Sequence, residues 1–311
     1  MKRKAIITFA VGYQFEHIQH FILSCQAFCP GADLFIYVGS NIRDLQEQCK
    51  SFSNVKLIRY QESLFPKMLS KLAMQSAWGG KKLAQLIQYL YHWLNKSNGL
   101  EMWATPLVQF MVKRFFLIQR LVTSIPHKQI MLTDIRDVLI VSDPFEHLGS
   151  SMIATGEEPV AIKDSDFNRR WYEATYSKEQ LTKIENLPVL CAGVTIGSRH
   201  AIEQYVREMI EETLSNLPKI VGLLGADQAI HIHLMYKRLH GIQKRIEKNG
   251  SGAIATLHYS SLNEFQFKNG TITNKKGACL KVVHQYDRHQ HLVTYLKNYI
   301  LAQYQSRAHA N

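Results

Sequence analysis

The sequence predicts an α/β fold with a mixed, mostly parallel central sheet flanked by helices, and three observations carry that prediction. Short apolar runs alternate with helix-periodic segments through roughly the first sixty residues. The apolar runs are continuous rather than alternating, as in strands buried on both faces of a parallel sheet. A later apolar run, Gln129-Ile130-Met131-Leu132-Thr133, ends directly in closely spaced aspartates.

The elements follow in order. Ala5 to Ala10 reads as a strand that ends at Gly12. From Tyr13 to Phe28, Phe15, Ile18, Ile22 and Ala27 recur at helical spacing, and Pro30-Gly31 stops the segment. Leu34 to Val38 makes a second strand, residues 43–52 a helix, and Val55 to Ile58 a third strand. Residues 62–122 are rich in Trp, Tyr, Leu and Lys and mostly helical by pattern, with breaks at Gly79-Gly80, Asn98-Gly99 and Pro106. Strands are expected at Val160–Lys163 and Val189–Gly197, and helices at about 199–217 and 226–239. Phe265 to Thr273 reads as a hairpin turning at Asn269-Gly270, where the pair supplies positive φ angles. Lys281-Val282-Val283 makes a late strand and 290–304 a terminal helix. With no internal repeat or linker, one domain spanning 1–304 is predicted, with 305–311 as a flexible tail.

Composition narrows the partners. Thirty-seven Lys and Arg against twenty-five Asp and Glu give a net charge of +12. Such a field draws phosphates, nucleotides or anionic surfaces, or simply keeps the surface soluble. The five cysteines (Cys25, Cys29, Cys49, Cys191, Cys279) are scattered, which fits reduced, buried thiols better than a zinc site or disulfide framework. No secretory signal and no apolar stretch of about 18 residues stands out, so a cytoplasmic protein is expected. The last helix, with Leu292, Tyr295, Leu296, Tyr299 and Ile300, could lie on a membrane surface, but packing onto the domain is the preferred reading.

The chemistry concentrates in Leu132-Thr133-Asp134-Ile135-Arg136-Asp137-Val138. Aspartates directly after an apolar strand sit at its carboxyl end, where open α/β sheets bind ligands. Their hard oxygens can hold Mg²⁺ or Mn²⁺ against a diphosphate, or either can serve as a helix N-cap. His231, His233 and His240 flank an apolar helix; 231 and 233 point to different faces, and all three read as ordinary surface or interface histidines. The aromatic and Met-rich stretch from Trp78 to Phe116 reads as core or cleft lining.

The run from Thr133 through Ser142-Asp143-Pro144-Phe145 resembles the metal-and-nucleotide motif of GT-A glycosyltransferases, in an Asp-x-Arg-Asp variant. Lys113-Arg114-Phe115-Phe116 is similar to the arginine-bearing helix that precedes that motif. Cys191-Ala192-Gly193 is similar to the family's Asn-Ala-Gly strand, Gly225-Ala226-Asp227-Gln228 to its Asp-Gln pair, and Val283-His284-Gln285 to its late histidine. The resemblance implies a GT-A-like, Rossmann-type domain, with a nucleotide-binding part at about 1–145 and an acceptor side at about 146–290. It implies a metal-dependent hexosyltransferase using Mn²⁺ or Mg²⁺ and a nucleotide-diphosphate sugar, with a glycan or lipid-linked acceptor and no nucleic acid partner.

On this reading Asp134, with Asp137 and His284 as candidates, holds the metal, and Arg114 and Arg136 face the donor phosphates. Val11-Gly12-Tyr13 cradles the base. Asp227 and Gln228 face the reacting sugar, Asp227 either catalytically or as a plain N-cap. Two departures stand: Arg136 occupies the place of the second Asp of a strict Asp-x-Asp, and Cys191 replaces the family's Asn. Two competing readings are a nucleotidyltransferase and a non-catalytic nucleotide- or nucleic-acid-binding module. The first would ordinarily show a Gly-rich loop with Lys or Arg after strand one, whereas this chain has Val11-Gly12-Tyr13-Gln14-Phe15. The second would bind with steep salt dependence and indifference to Mn²⁺.

Overall fold

The computed structural model describes residues 3–61, 68, 77–94, 100–146, 148–268 and 271–308. Strand β1 (Lys4–Ala10), helix α1 (Phe15–Phe28), β2 (Ala32–Val38), α2 (Ile42–Gln48) and β3 (Val55–Arg59) form the opening α/β unit. After it come α3 (Ala77–Trp93), α4 (Phe110–Ser124), β4 (Gln129–Thr133) and β5 (Val138–Ile140). The second half contains β6 (Met152–Ala161), α5 (Asp166–Thr175), β7 (Pro188–Ser198), α6 (Arg199–Ser215), α7 (Leu217–Ile220) and α8 (Ala226–His233). A π-helical turn, Leu234–Arg238, extends α8. The chain closes with β8 (Gln243–Glu247), β9 (Ile254–Thr256), the hairpin β10 (Phe265–Lys268) and β11 (Thr271–Asn274), β12 (Val282–His284) and α9 (Gln290–Ala308).

The central sheet has seven strands in the order β3-β2-β1-β4-β7-β6-β8. All neighbouring pairs are parallel except those made by β7, which runs antiparallel to both β4 and β6. The continuous apolar strands have a direct cause. Along β1, Ala5 and Ile7 pack into one core layer while Ile6 packs into the other. Both faces are covered, so the strand is apolar almost throughout, with Thr8 buried among its neighbours. A second sheet, β5-β12-β9, and its packing partner α9 close the far side.

Several expectations need correction. Gly79 and Gly80 lie inside α3 rather than breaking it. Two glycines cost a helix about 1 kcal/mol each, but burial of Ala84, Ile87 and Tyr91 along one face of α3 offsets that. Asn98-Gly99 and the turn residues Asn269-Gly270 lie outside the described residues, although β10 and β11 do pair antiparallel. Of the strand expected at 160–163, Val160 and Ala161 end the longer β6, whose Glu157, Glu158 and Pro159 hid it from periodicity, while Ile162 and Lys163 lie in a 3-10 turn. Helix α9 continues to Ala308, into the expected tail. It packs against α1, burying Leu292, Leu296 and Ile300. Four cysteines are buried as expected, but Cys279 is exposed. Among the described residues no helix is long and apolar enough to cross a membrane.

Candidate active site

The chain leaves β1 toward β2 and returns to pair β4 on the other side of β1, so the sheet's switch point lies between β1 and β4. Crevices outside the carboxyl ends of such strands are where open α/β sheets take ligands. Here Val11-Gly12-Tyr13 follows β1 and Asp134 follows β4. Gly12 has φ +86°, and the Tyr13 amide donates to the Ala10 carbonyl at 3.2 Å, so the backbone turns sharply away from the sheet. Val11 and Tyr13 line a recess of about 690 Å³ with Phe9, Phe110, Arg114 and residues 134–137. A second, larger cleft of about 1090 Å³ shares Met111, Arg114, Asp134 and Asp137 with it.

Residues 134–137 link β4 to β5 without forming a helix, so neither aspartate caps one. The Asp134 amide donates to the Gly193 carbonyl at 2.9 Å and continues the β4–β7 ladder. Beyond the loop, β5 pairs β12 with Val138 opposite His284, and the Gln285 amide donates to the Asp137 carbonyl at 2.7 Å. That register brings a histidine from nearly 150 residues downstream beside both aspartates. His284 Nε2 lies 4.0 Å from Asp134 Oδ2 and 3.9 Å from Asp137 Oδ1. One ligand atom from each of the three lies within 4.8 Å of the others. Two carboxylates and one imidazole are a donor set suited to a hard or borderline divalent cation.

Gly193 makes this cluster possible. A Cβ there would stand 2.4 Å from His284 Cε1 and 2.9 Å from Asp134 Oδ2. Gln285, just after the histidine, has φ 56° and ψ 33°, the one positive φ at a non-glycine residue among those described. Such strain persists where surrounding structure enforces it, and it clusters at functional sites. His284 Nδ1 faces the Cys191 sulfur at 3.5 Å. Burial pushes the Cys191 thiol well above its ordinary range, so the sulfur stands there as a neutral thiol. Burial likewise raises the Glu158 carboxyl, against the pull of His284. Burial also raises Asp137, with His284 again opposing.

Arg114, buried on α4, joins two acidic groups. Its guanidinium donates to Asp134 Oδ1 at 2.7 Å and to Asp227 Oδ2 at 3.2 Å. Burial alone would lower the guanidinium; the two carboxylates reverse that and hold it above its ordinary value. Burial pushes Asp227 up, and Arg114 offsets part of the rise. The cap of α8 is Gly225 at φ +69°, so Asp227 sits inside the first turn, buried and paired to Arg114. Gln228 is occupied at both ends of its amide: it accepts from the Ala192 amide at 2.9 Å and donates to the Leu190 carbonyl at 2.7 Å. It therefore braces β7 beside the cleft. Arg136 reaches Asp287 Oδ2 at 3.1 Å while lining the recess near Tyr13.

The larger cleft also has an aromatic lining. Phe167 and Trp171 of α5, Leu224 and Tyr259 line it, with Phe167, Leu224 and Tyr259 well exposed. Gly225 permits Trp171 to lie against the turn, since a Cβ there would stand 2.2 Å from the indole.

Sequence reasoning missed Glu158, Gln285, Phe167, Trp171 and Tyr259. None carries a local pattern, because their convergence depends on β6, α5 and the β9–β12 region meeting in space. The surface reading of His231 is also corrected. The ring is fully buried, with Nδ1 2.8 Å from the Tyr205 hydroxyl and Nε2 3.3 Å from Thr155 Oγ1. His233 meets the Tyr172 hydroxyl at 2.9 Å and stacks on Tyr176, whereas His240 is exposed as expected. The apolar α8 is buried on most of its circumference, so a histidine can face inward wherever hydroxyl partners wait.

No protein-family model matches the chain, and no curated protein matches it in sequence. Among solved structures it is similar to a galactosyltransferase, LgtC, whose crystal structure holds donor and acceptor sugar analogs. The two align with a TM-score of 0.53 and 10% identity, over 97% of this chain and 95% of that one. The mixed α/β architecture, with its seven-stranded, mostly parallel sheet between helices, is the GT-A fold.

Proposed function

We propose that the protein is a metal-dependent glycosyltransferase that moves a hexose from a nucleotide-diphosphate sugar to a hydroxyl acceptor. The observation that carries this reading is the meeting of Asp134, Asp137 and His284 at the sheet's switch point, with Arg114 paired to Asp134 and two recesses that share Arg114, Asp134 and Asp137. The fold likeness to a galactosyltransferase whose structure holds donor and acceptor sugar analogs supports it.

In this reading the recess lined by Val11, Tyr13 and Phe110 takes the base and ribose. A departing nucleoside diphosphate gathers negative charge, which a fixed positive environment stabilises without proton transfer. Asp134, Asp137 and His284 would hold Mn²⁺ or Mg²⁺, and the bound cation would neutralise charge on the diphosphate oxygens. Arg114 keeps Asp134 aimed and adds its own field at the same point. Asp227 lies where it can orient the transferred sugar through the Arg114–Asp227 pair, and Gln228 fixes the strand that carries Gly193. The acceptor enters over the aromatic lining, where the flat apolar faces of sugar rings meet Phe167 and Trp171. A glycan or lipid-linked glycan suits that lining.

The test is a melting series with Mn²⁺ and a panel of nucleotide sugars. One donor should raise the melting temperature only in the presence of the cation. Asp134→Asn should remove that shift and the cation-dependent donor hydrolysis while keeping the fold. No response to any donor, or full activity in Asp134→Asn, refutes the proposal.

A further inference from the structure

Helices α3 and α9 are both rich in aromatic and aliphatic residues, yet they use them differently. On α9 the apolar positions Leu292, Leu296 and Ile300 are buried. On α3 the buried set is Ala84, Ile87 and Tyr91, and a second apolar set faces away from the domain. Leu86, Tyr89 and Trp93 are 53%, 65% and 70% exposed, at i, i+3 and i+7. They form one stripe, with Lys81 and Lys82 exposed at its start and Leu94 41% exposed at its end. From Lys82 to Trp93 the stripe runs about 16 Å at the helical rise.

The stretch of sequence that contains this helix is one-sided in charge. Residues 63–100 contain five lysines and no aspartate or glutamate. In a chain with 25 acidic residues, that stretch is singled out by its lack of negative charge. An exposed Trp, Tyr and Leu ridge in so basic a stretch has two matched requirements: an apolar layer about one side chain deep, and negative charge above it. A protein surface would have to supply both at one place. An anionic bilayer supplies both everywhere, with indole and phenol rings settling at headgroup depth.

We infer that the exposed face of α3 is a docking surface for an anionic lipid bilayer, on which Leu86, Tyr89 and Trp93 insert while the neighbouring lysines meet the headgroups. The position of α3 gives the contact a use. Helix α7 packs on both α3 and α5, and α5 carries Phe167 and Trp171 in the aromatic lining of the cleft. A bilayer on α3 would thus bear, through α7, on the helix that lines the cleft. The inference stands without the sugar-transfer reading, because no catalytic group is involved.

The experiment is flotation of the full chain with vesicles of phosphatidylcholine alone or with about one-third phosphatidylglycerol. The protein should float with the anionic vesicles, much less with the neutral ones, and release as salt rises. Binding by Tyr89→Glu/Trp93→Glu should weaken roughly tenfold or more, and by Lys81→Glu less. Leu301→Glu, on the exposed side of α9, should bind as the parent does. All of these positions are exposed, so melting temperatures should stay near that of the parent. Absence of flotation with anionic vesicles, or undiminished flotation of the double variant, overturns the inference. So does a dimer that Trp93→Glu converts to monomer in a protein that ignores vesicles, because the stripe would then be an interface between copies.

Discussion

Two sets of residues line the large cleft, and they are built on opposite principles. In one, Asp134, Asp137, His284, Arg114 and Asp227 hold one another in a buried or half-buried cluster of charge. Among the other lining residues, Phe167, Trp171, Leu224 and Tyr259 offer apolar surface to the cleft. The charged set is over-determined: register, a missing side chain at Gly193 and a strained Gln285 all fix it. Of the second set, Phe167, Leu224 and Tyr259 are exposed and could be exchanged with little effect on the fold, while Trp171 also packs on the core. The lesson is that changes in the first set should alter both chemistry and stability, while changes at the exposed members of the second should alter only affinity.

The sharpest way to break that contrast is Arg114→Ala. It leaves Asp227 buried with no cation, which should cost about 3–5 kcal/mol of stability. Urea unfolding measures it, and adding Asp227→Asn should restore part of the loss because no buried charge then lacks a partner. If Arg114→Ala unfolds like the parent, the charged set is not the rigid one. Next in size are Asp137→Asn and Gly193→Ala. The first should lower kcat by roughly 10²–10³, as loss of one electrostatic stabiliser does. The second should reach a similar loss by pushing His284 aside, with about 1–3 kcal/mol of overpacking cost visible in melting. An active Gly193→Ala enzyme would show that His284 can move without consequence.

A pH series probes the layer beneath Arg114. Burial holds His231 down at about 3, so the folded protein keeps the imidazole neutral. Unfolded, the same group takes a proton below about 6.5. Between those values the unfolded state binds more protons, so stability falls as the solution is acidified, by up to about 1.4 kcal/mol per pH unit. Unfolding at pH 7 and pH 5 should show this, and His231→Gln should flatten it. The smallest effect belongs to the aromatic lining. Phe167→Ala should raise the acceptor KM several-fold, about 1 kcal/mol, and leave donor hydrolysis and melting unchanged. A drop in donor hydrolysis would erase the distinction between the two sets.

Legibility differs between the halves for a physical reason. Strands β1, β2 and β4 announce themselves because both faces are covered, and a short, continuous apolar run bounded by turn residues fits little else, whereas β3 is an edge strand with Lys56 and Arg59 exposed. Strand β6 is mostly hidden from pattern, since Glu157 is only half-buried, Glu158 faces the site and Pro159 follows them. The candidate metal cluster is readable as three separate residues, Asp134, Asp137 and His284, through their family resemblance. Gly193 reads in sequence only as part of a strand. Its reason for being glycine appears once the imidazole is seen packed against its Cα.

The sequence alone determined the α/β class, the position of the aspartates at a strand's carboxyl end and the buried layers, because hydrophobic periodicity and strand-end chemistry are local. Only the tertiary structure decided which groups share a site. The Val138–His284 register, the Arg114 bridge between Asp134 and Asp227, and the stripe that α3 leaves uncovered all depend on residues distant in the chain. Contacts of that kind arise from packing and strand pairing across the whole domain, and no local pattern encodes them.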